Sequence, residues 1–228
     1  MIDLNCDMGE LEDSAHEAAL MEHVTSANIA CGGHAGDDAT MERTARLALE
    51  RGVRIGAHPG YPDPANFGRL EMAMAPAEIA DTVYDQIRRL EAIVKRLGGR
   101  VEYVKPHGAL YNVAVKNAQT ARAIGEGVAR WKRTAPIFGL AASPMLEVWK
   151  AMGLEGVGEA FADRRYEPDG TLRNRKFPDA LITDPAAAAA QAVRLAREGK
   201  ARTICVHGDT PGSVEILRAC RAALEAER

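Results

Sequence analysis

Short apolar runs alternate along this chain with longer stretches whose apolar residues recur every three or four positions. Seven runs lie near residues 2–6, 26–30, 53–57, 101–105, 136–140, 156–161 and 203–206. They are brief and mostly rich in Val, Ile or Leu, as expected of strands buried on both faces of a parallel sheet. Between them the pattern predicts helices. Ile79, Val83, Ile87, Leu90, Val94 and Leu97 form one apolar stripe, closed by Gly98-Gly99. Ser143-Pro144, Asp184-Pro185 and Thr210-Pro211 each place a capping side chain before a proline suited to the first helical position. Ala186 to Ala190 is strong helix-forming sequence. Strand and helix in strict alternation predict an α/β fold, a seven-stranded TIM-like (β/α) barrel, as one domain over 1–228. Two long connections interrupt it. Residues 59–75 carry Pro59, Pro62, Pro64 and Gly68, and residues 162–183 carry Arg164, Arg165, Arg173, Arg175 and Lys176. The second reads as a solvated surface or as a lid over an anionic ligand or partner.

Composition narrows the function classes. Apolar residues make up 46% of the 228 positions, enough for a substantial core. Aromatics are only 5% and the net charge is -3, which argues against nucleic acid and membrane partners. Cys6, Cys31, Cys205 and Cys220 form no C-x-x-C pair and read as small buried hydrophobes, with Cys31 the best placed for a nucleophile. Met1 leads directly into Ile-Asp-Leu-Asn, without a basic region or long apolar segment, so a cytoplasmic location is expected.

Four of the six histidines stand just past an apolar run beside a glycine or proline: His34, His58, His107 and His207. In a (β/α) barrel that address is the carboxyl end of a strand, where side chains converge on one mouth. Other polar residues share it. They are Asn5, Asp7 and Glu10; Asn28 and Asp37; Asp63; Lys105 and Tyr111; Glu159, Asp163 and Arg164; and Asp209. The opposite strand ends show no comparable cluster. Asp7 and Asp209 are candidate general bases, Asp209 equally a turn or cap residue. Lys105, at the end of an apolar strand, needs a partner or an anion. Gly32-Gly33 and Gly36 either expose backbone N–H groups to an oxyanion or make a tight turn. Asp7, His34 and His107 form a plausible carboxylate-plus-imidazole metal set, although no H-x-x-x-H or H-E-x-x-H spacing fixes it. His16 and His23 fall in the helix after the first strand and read as structural. No G-x-x-x-x-G-K-[ST] loop is present.

The motifs in order resemble those of the lactam-utilisation family, which includes the A component of the bacterial ATP-dependent 5-oxoprolinase. They begin with Ile2 to Glu10, Ser26 to Asp37, Gly56 to Asp63 and Val104 to Asn112. Phe161-Ala162-Asp163-Arg164 and Cys205 to Asp209 complete the set. The resemblance implies a barrel distantly related to polysaccharide deacetylases. It also implies cleavage of 5-oxoproline to glutamate with ATP as co-substrate, in a complex with subunits B and C. Within it, Asp7 or His107 would act as base. Lys105 and Arg164 would hold phosphate or the substrate carboxylate, and His34, His58 and His207 would orient substrate or move protons. Asn28, Gly33 and Asp37 join Arg164 as expected substrate or phosphate contacts, and a divalent metal is a further expectation. Two departures stand out. The segment before the last strand, near Gly199 to Arg202, is shorter than in the family, and Arg165 precedes Tyr166 where glycine is more usual. Two other readings use the same residues: a stand-alone metal-dependent deacetylase or amidohydrolase, and a non-catalytic component that binds a small anion.

Overall fold

A computed structural model describes residues 2–11 and 13–227. Seven parallel strands pair in sequence order, and β7 closes onto β1. They are β1 (Asp3–Met8), β2 (Ser26–Ala30), β3 (Arg54–His58), β4 (Tyr103–Val104), β5 (Ile137–Leu140), β6 (Gly156–Phe161) and β7 (Thr203–Val206). Helices surround the barrel: α1 (Ser14–Met21), α2 (Asp38–Arg51), α3 (Pro76–Arg96), α4 (Gly108–Lys116), α5 (Ala118–Lys132), α6 (Pro144–Ala151), α7 (Pro185–Arg197) and α8 (Ser213–Ala226). The seven-stranded barrel expected from the alternation is the fold observed. Two helices, α4 and α5, fill the single connection from β4 to β5.

Most helix signals act where expected, but Ser143, although it precedes Pro144 and α6, donates its hydroxyl to Leu140 O at 2.6 Å and does not cap the helix. In α3 the stripe Ile79, Val83, Ile87, Leu90 and Val94 is buried, and the chain leaves the helix through Gly98 at φ 80°. Asp184 caps α7 by accepting the Ala187 N–H at 2.7 Å, ahead of Pro185. Thr210-Pro211 does not start a helix. α8 begins at Ser213 behind Gly212, and the Thr210 hydroxyl instead donates to Asp163 at 2.5 Å. The need to satisfy a buried carboxylate outweighs the capping preference there. His23 lies beyond the end of α1, while His16 ties α1 to the β7–α8 turn through Gly208 O at 3.2 Å and Ser213 Oγ at 3.1 Å. Neither lines the cavity at the mouth. The shortened segment forms a direct link: α7 ends at Arg197, Gly199 turns at φ 68°, and β7 starts at Thr203.

The barrel interior is polar where many barrels stack branched aliphatics. Asn5 donates to Thr203 Oγ1 at 2.6 Å and Glu159 Oε1 at 3.1 Å. Asn28 donates to Asn5 at 2.7 Å and Asp7 at 2.8 Å, and accepts the Tyr103 hydroxyl at 2.7 Å. Gly56 is required beside Tyr103, because a Cβ there would fall within the phenol ring. The amino-terminal end of the barrel also carries a polar cluster, contrary to expectation. Asp3 accepts Thr25 at 2.7 Å, Ser26 at 2.6 Å and Thr203 at 2.6 Å, with Arg54 at 3.7 Å. Each of these hydroxyls donates to one carboxylate, so this end is a satisfied plug.

Candidate active site

The carboxyl-end mouth holds a cavity of about 730 Å³. Each strand delivers its residues by the same device, an apolar strand that stops as the chain turns outward. After β1, Gly9 takes φ 72° and swings Glu10 over the mouth. Glu17 of α1, itself buried, accepts the Gly9 N–H and the Thr44 hydroxyl and so fixes this turn. His34 follows β2, His58 ends β3, His107 follows β4, and His207 follows β7.

Three imidazoles converge on Glu10. Its Oε1 lies 2.9 Å from His34 Nε2, 3.6 Å from His58 Nε2 and 3.7 Å from His107 Nε2. The His34 and His107 rings stack at 3.6 Å, and His58 meets both edge-on at 5.4 and 5.0 Å. One donor atom from each of the four residues lies within 4.8 Å of the others. His34 Nδ1, His58 Nε2 and His107 Nδ1 are buried without a hydrogen-bond partner. Native proteins leave few such atoms. Of the three, only His58 Nε2 faces Glu10; His34 and His107 face it with Nε2 and turn their Nδ1 atoms toward Gly60. His58 Nδ1 lies 2.7 Å from the Lys105 carbonyl, which fixes an N–H there and leaves Nε2 between Asp7 at 3.4 Å and Glu10 at 3.6 Å; burial opposes the charge of this imidazole, but Asp7 holds it above the ordinary imidazole range. Burial pushes His34 and His107 below the ordinary imidazole range, and the neighbouring imidazoles push His107 further. Neutral nitrogens suit metal coordination.

Asp7 faces a different partner. Lys105 Nζ donates to Asp7 Oδ1 at 2.7 Å and lies 3.2 Å from Glu159 and 3.0 Å from Cys205 Sγ. Burial opposes ionisation of Asp7, but His58 and Lys105 outweigh it and hold its carboxyl well below the usual range. Burial likewise opposes the Lys105 charge, and Asp7, Cys205 and Glu159 more than restore it. Of the expected set Asp7, His34 and His107, the two histidines gather with Glu10 and His58, while Asp7 falls with Cys205 and His207. Lys105 is committed to protein carboxylates, so an anion need not be its partner.

A second arrangement stands beside the first. Asp163 lies 3.0 Å from His207 Nδ1 and accepts the His207 N–H at 3.1 Å. Burial would neutralise Asp163, yet His207 and Thr210 keep it ionised. His207 stacks on Phe161 at 5.3 Å and lines the cavity.

Asp209 sits on the rim in ion pairs with Arg69 and with Arg175, the latter at 2.7 Å. Burial resists its charge, but Arg175 and Arg69 bring it down to about 2, too acidic for a general base at neutral pH. Arg164 lines the cavity. Asn28, Gly33 and Asp37 do not line it. Asn28 lies beneath Asp7 in the barrel. Gly33 packs against the Gln86 amide, and Gly32 N–H donates to Ala35 O, so the glycines make the tight turn. Asp37 is the exposed N-cap of α2, accepting Thr40 N–H at 2.8 Å. Cys31 is buried on Ile29 O, its thiol pushed up to about 12 by burial, and offers no nucleophile. Sequence reasoning passed over Arg69 as a site residue. Its only signal was a place in a long proline-rich connection.

A closed parallel barrel with imidazoles, carboxylates and arginines gathered at its carboxyl-end mouth defines a (β/α) barrel protein with a polar small-molecule site. More particularly, the chain belongs to the LamB/YcsF family, whose profile matches residues 2–228. It is 46% identical over 240 aligned positions to the 5-oxoprolinase A component of Chloroflexus aggregans, covering 99% of this chain and 95% of that one. Its fold superposes with TM-score 0.91 on the lactam utilization protein of Thermus thermophilus, at 39% identity and 99% and 96% coverage. The T48 deacetylase, solved with substrate, shares the fold at TM-score 0.51 and 16% identity, covering 100% of this chain and 84% of that one. Among the described residues no helix is long and apolar enough to cross a membrane.

Proposed function

We propose that this protein is the A component of an ATP-dependent 5-oxoprolinase that opens 5-oxoproline to glutamate together with subunits B and C. The observation that carries this is the full-length identity to a relative named as the A component of 5-oxoprolinase, in a chain whose mouth gathers acid–base groups. A five-membered lactam is a resonance-stabilised amide, and its hydrolysis needs an activated carbonyl and an activated water. Coupling to ATP in the assembled enzyme supplies the activation.

Base duty falls to His207 in this reading, not to Asp7 or His107 as the sequence suggested. Asp7 is held ionised against Lys105 and His58, and His107 belongs to the Glu10 cluster. Asp163 accepts from His207 Nδ1–H and leaves Nε2 with the lone pair, oriented as a carboxylate orients imidazole in hydrolases. Asp7, Lys105 and Glu159 set the fixed charges below it.

The Glu10, His34, His58 and His107 donors fit a divalent transition metal, since three imidazoles and a carboxylate whose donor atoms lie within 4.8 Å of one another are a suitable ligand set, and His58 Nε2, which faces Glu10, lacks a hydrogen-bond partner. Bound there, the ion would polarise a carbonyl or a water as a Lewis acid. This same observation favours a second reading, a metal-dependent amidohydrolase or deacetylase that works without ATP. Mixing the chain with subunits B and C and following glutamate release separates the two. Release that needs ATP and all three components supports the first reading. ATP-independent hydrolysis by this chain alone overturns it.

A further inference from the structure

Beside the histidine cluster, the mouth carries further charges from both long connections. Arg69 comes from residues 59–75, and Arg164 and Arg175 come from residues 162–183. All three line the cavity. Arg164 is only 5% exposed. Its Nη2 donates to the Arg173 carbonyl at 2.6 Å, its Nε is buried without an acceptor, and no carboxylate among the described residues lies within 4.0 Å of it. A buried guanidinium without a counter-ion is strongly unfavourable unless something else supplies the negative charge. Asp163, the carboxylate next in sequence, is spent on His207 and Thr210. Asp209 gives one oxygen, Oδ2, to both Arg69 and Arg175. Among the described residues, these three guanidiniums together have a single carboxylate oxygen within 4.0 Å.

From this arrangement we infer that Arg164 and Arg175 form an anion-binding pole that takes the carboxylate of a small substrate, with Asp209 as a resident carboxylate competing for Arg175. Position supports it. Arg164 directly follows Asp163, and Asp209 lies two residues after His207, so the segments that orient the acid–base pair also carry the pole. A ring with a carboxylate on the carbon beside its amide nitrogen would be anchored at the pole with its amide turned toward His207. The guanidinium fork matches a carboxylate or phosphate and not a neutral amide. This rests on the lactam reading for the identity of the ring but not for the anion.

Calorimetry on the full chain tests it with three probes: 5-oxoproline, 2-pyrrolidinone (the same ring without the carboxylate) and inorganic phosphate. The pole predicts that 5-oxoproline binds roughly 10- to 100-fold tighter than 2-pyrrolidinone, the size of a charge-assisted contact. R164Q erases that gap and weakens phosphate by at least about tenfold, leaves 2-pyrrolidinone unchanged, and R164K recovers part of the loss. R175Q acts in the same direction. D209N, which removes the competing carboxylate, tightens phosphate. Thermal melts of each variant identify any that fail to fold, and D209N then carries the test alone, because a gain in affinity cannot come from misfolding. If 5-oxoproline and 2-pyrrolidinone bind equally and the variants change nothing, the pole is wrong and the lactam reading stands. Phosphate binding lost in R164Q, with no lactam bound by the parent, keeps the pole and removes the lactam. Binding of no probe by the parent overturns both.

Discussion

Replacing Lys105 with Met removes the one ammonium buried among Asp7, Glu159 and Asn5 while roughly keeping the side chain's volume. Breaking a buried ion pair by removing one partner costs about 3–5 kcal/mol. The structure places this case at the low end. Asp7 keeps His58 Nε2 at 3.4 Å and the Asn28 amide at 2.8 Å, so it is not stranded. Glu159 keeps the Asn5 amide at 3.1 Å and the neighbouring Tyr111 hydroxyl, neither of which carries a positive charge. The expected loss at pH 7 is therefore about 3 kcal/mol, a fall in Tm of roughly 6–12 °C at this chain length. The pH dependence gives the sharper test. Burial already raises Glu159, with Lys105 opposing it. Once the ammonium is gone the native carboxyl rises further and takes up a proton before the unfolded chain does. Stability then grows as pH falls toward the unfolded value, which is the opposite of a depressed carboxylate. Urea unfolding followed by circular dichroism at pH 7.5 and pH 5.5 should show the gap between variant and parent narrowing at the lower pH. Adding Glu159→Gln to Lys105→Met should recover about half of the loss at pH 7.5. A loss below about 1 kcal/mol, or an equal loss at both pH values, would refute the view that Glu159 depends on Lys105.

Gly56→Ala should destabilise by about 1–3 kcal/mol in denaturant melts, because the added methyl overlaps the Tyr103 ring in a closed interior. Asp209 sits near 2 in the folded chain and about 3.9 unfolded, so it contributes about 2 kcal/mol above pH 4, lost as pH falls toward 2. Melts of Asp209→Asn against the parent from pH 6 to pH 2.5 should converge at the acid end. Glu10→Gln should lower the affinity for zinc or cobalt by roughly 10- to 100-fold in competition with a chelating dye, with the melting temperature of the metal-free protein little changed. Equal metal affinity in this variant would remove Glu10 from the ligand set.

The parts of the site that were legible in the sequence are those set by strand ends. A histidine just past an apolar run and beside a Gly or Pro is expected at the mouth, and His34, His58, His107 and His207 all lie at or just past the carboxyl end of a strand. Register was harder. Read as ending at Cys6, the first strand leaves Asp7 in the loop with the imidazoles. In fact β1 continues to Met8, which points Asp7 down at Lys105 and brings Glu10 over the histidines. Asp37 and Thr210-Pro211 failed because an N-cap aspartate, a site aspartate and a turn threonine have the same local spelling. The polar interior of Asn5, Asn28 and Glu159 was masked because strands of four to six residues, buried on both faces, show no alternation. Arg164 was visible as part of a basic loop, but its want of a counter-ion is a property of the folded chain alone.

The role of the His207–Asp163 pair is tested most directly by turnover of His207→Gln in the assembled enzyme. The account predicts glutamate formation reduced at least about 100-fold, as for loss of a general base, with 5-oxoproline affinity and melting temperature close to the parent's. Turnover within a few-fold of the parent would contradict it and return the proton chemistry to another residue at the mouth.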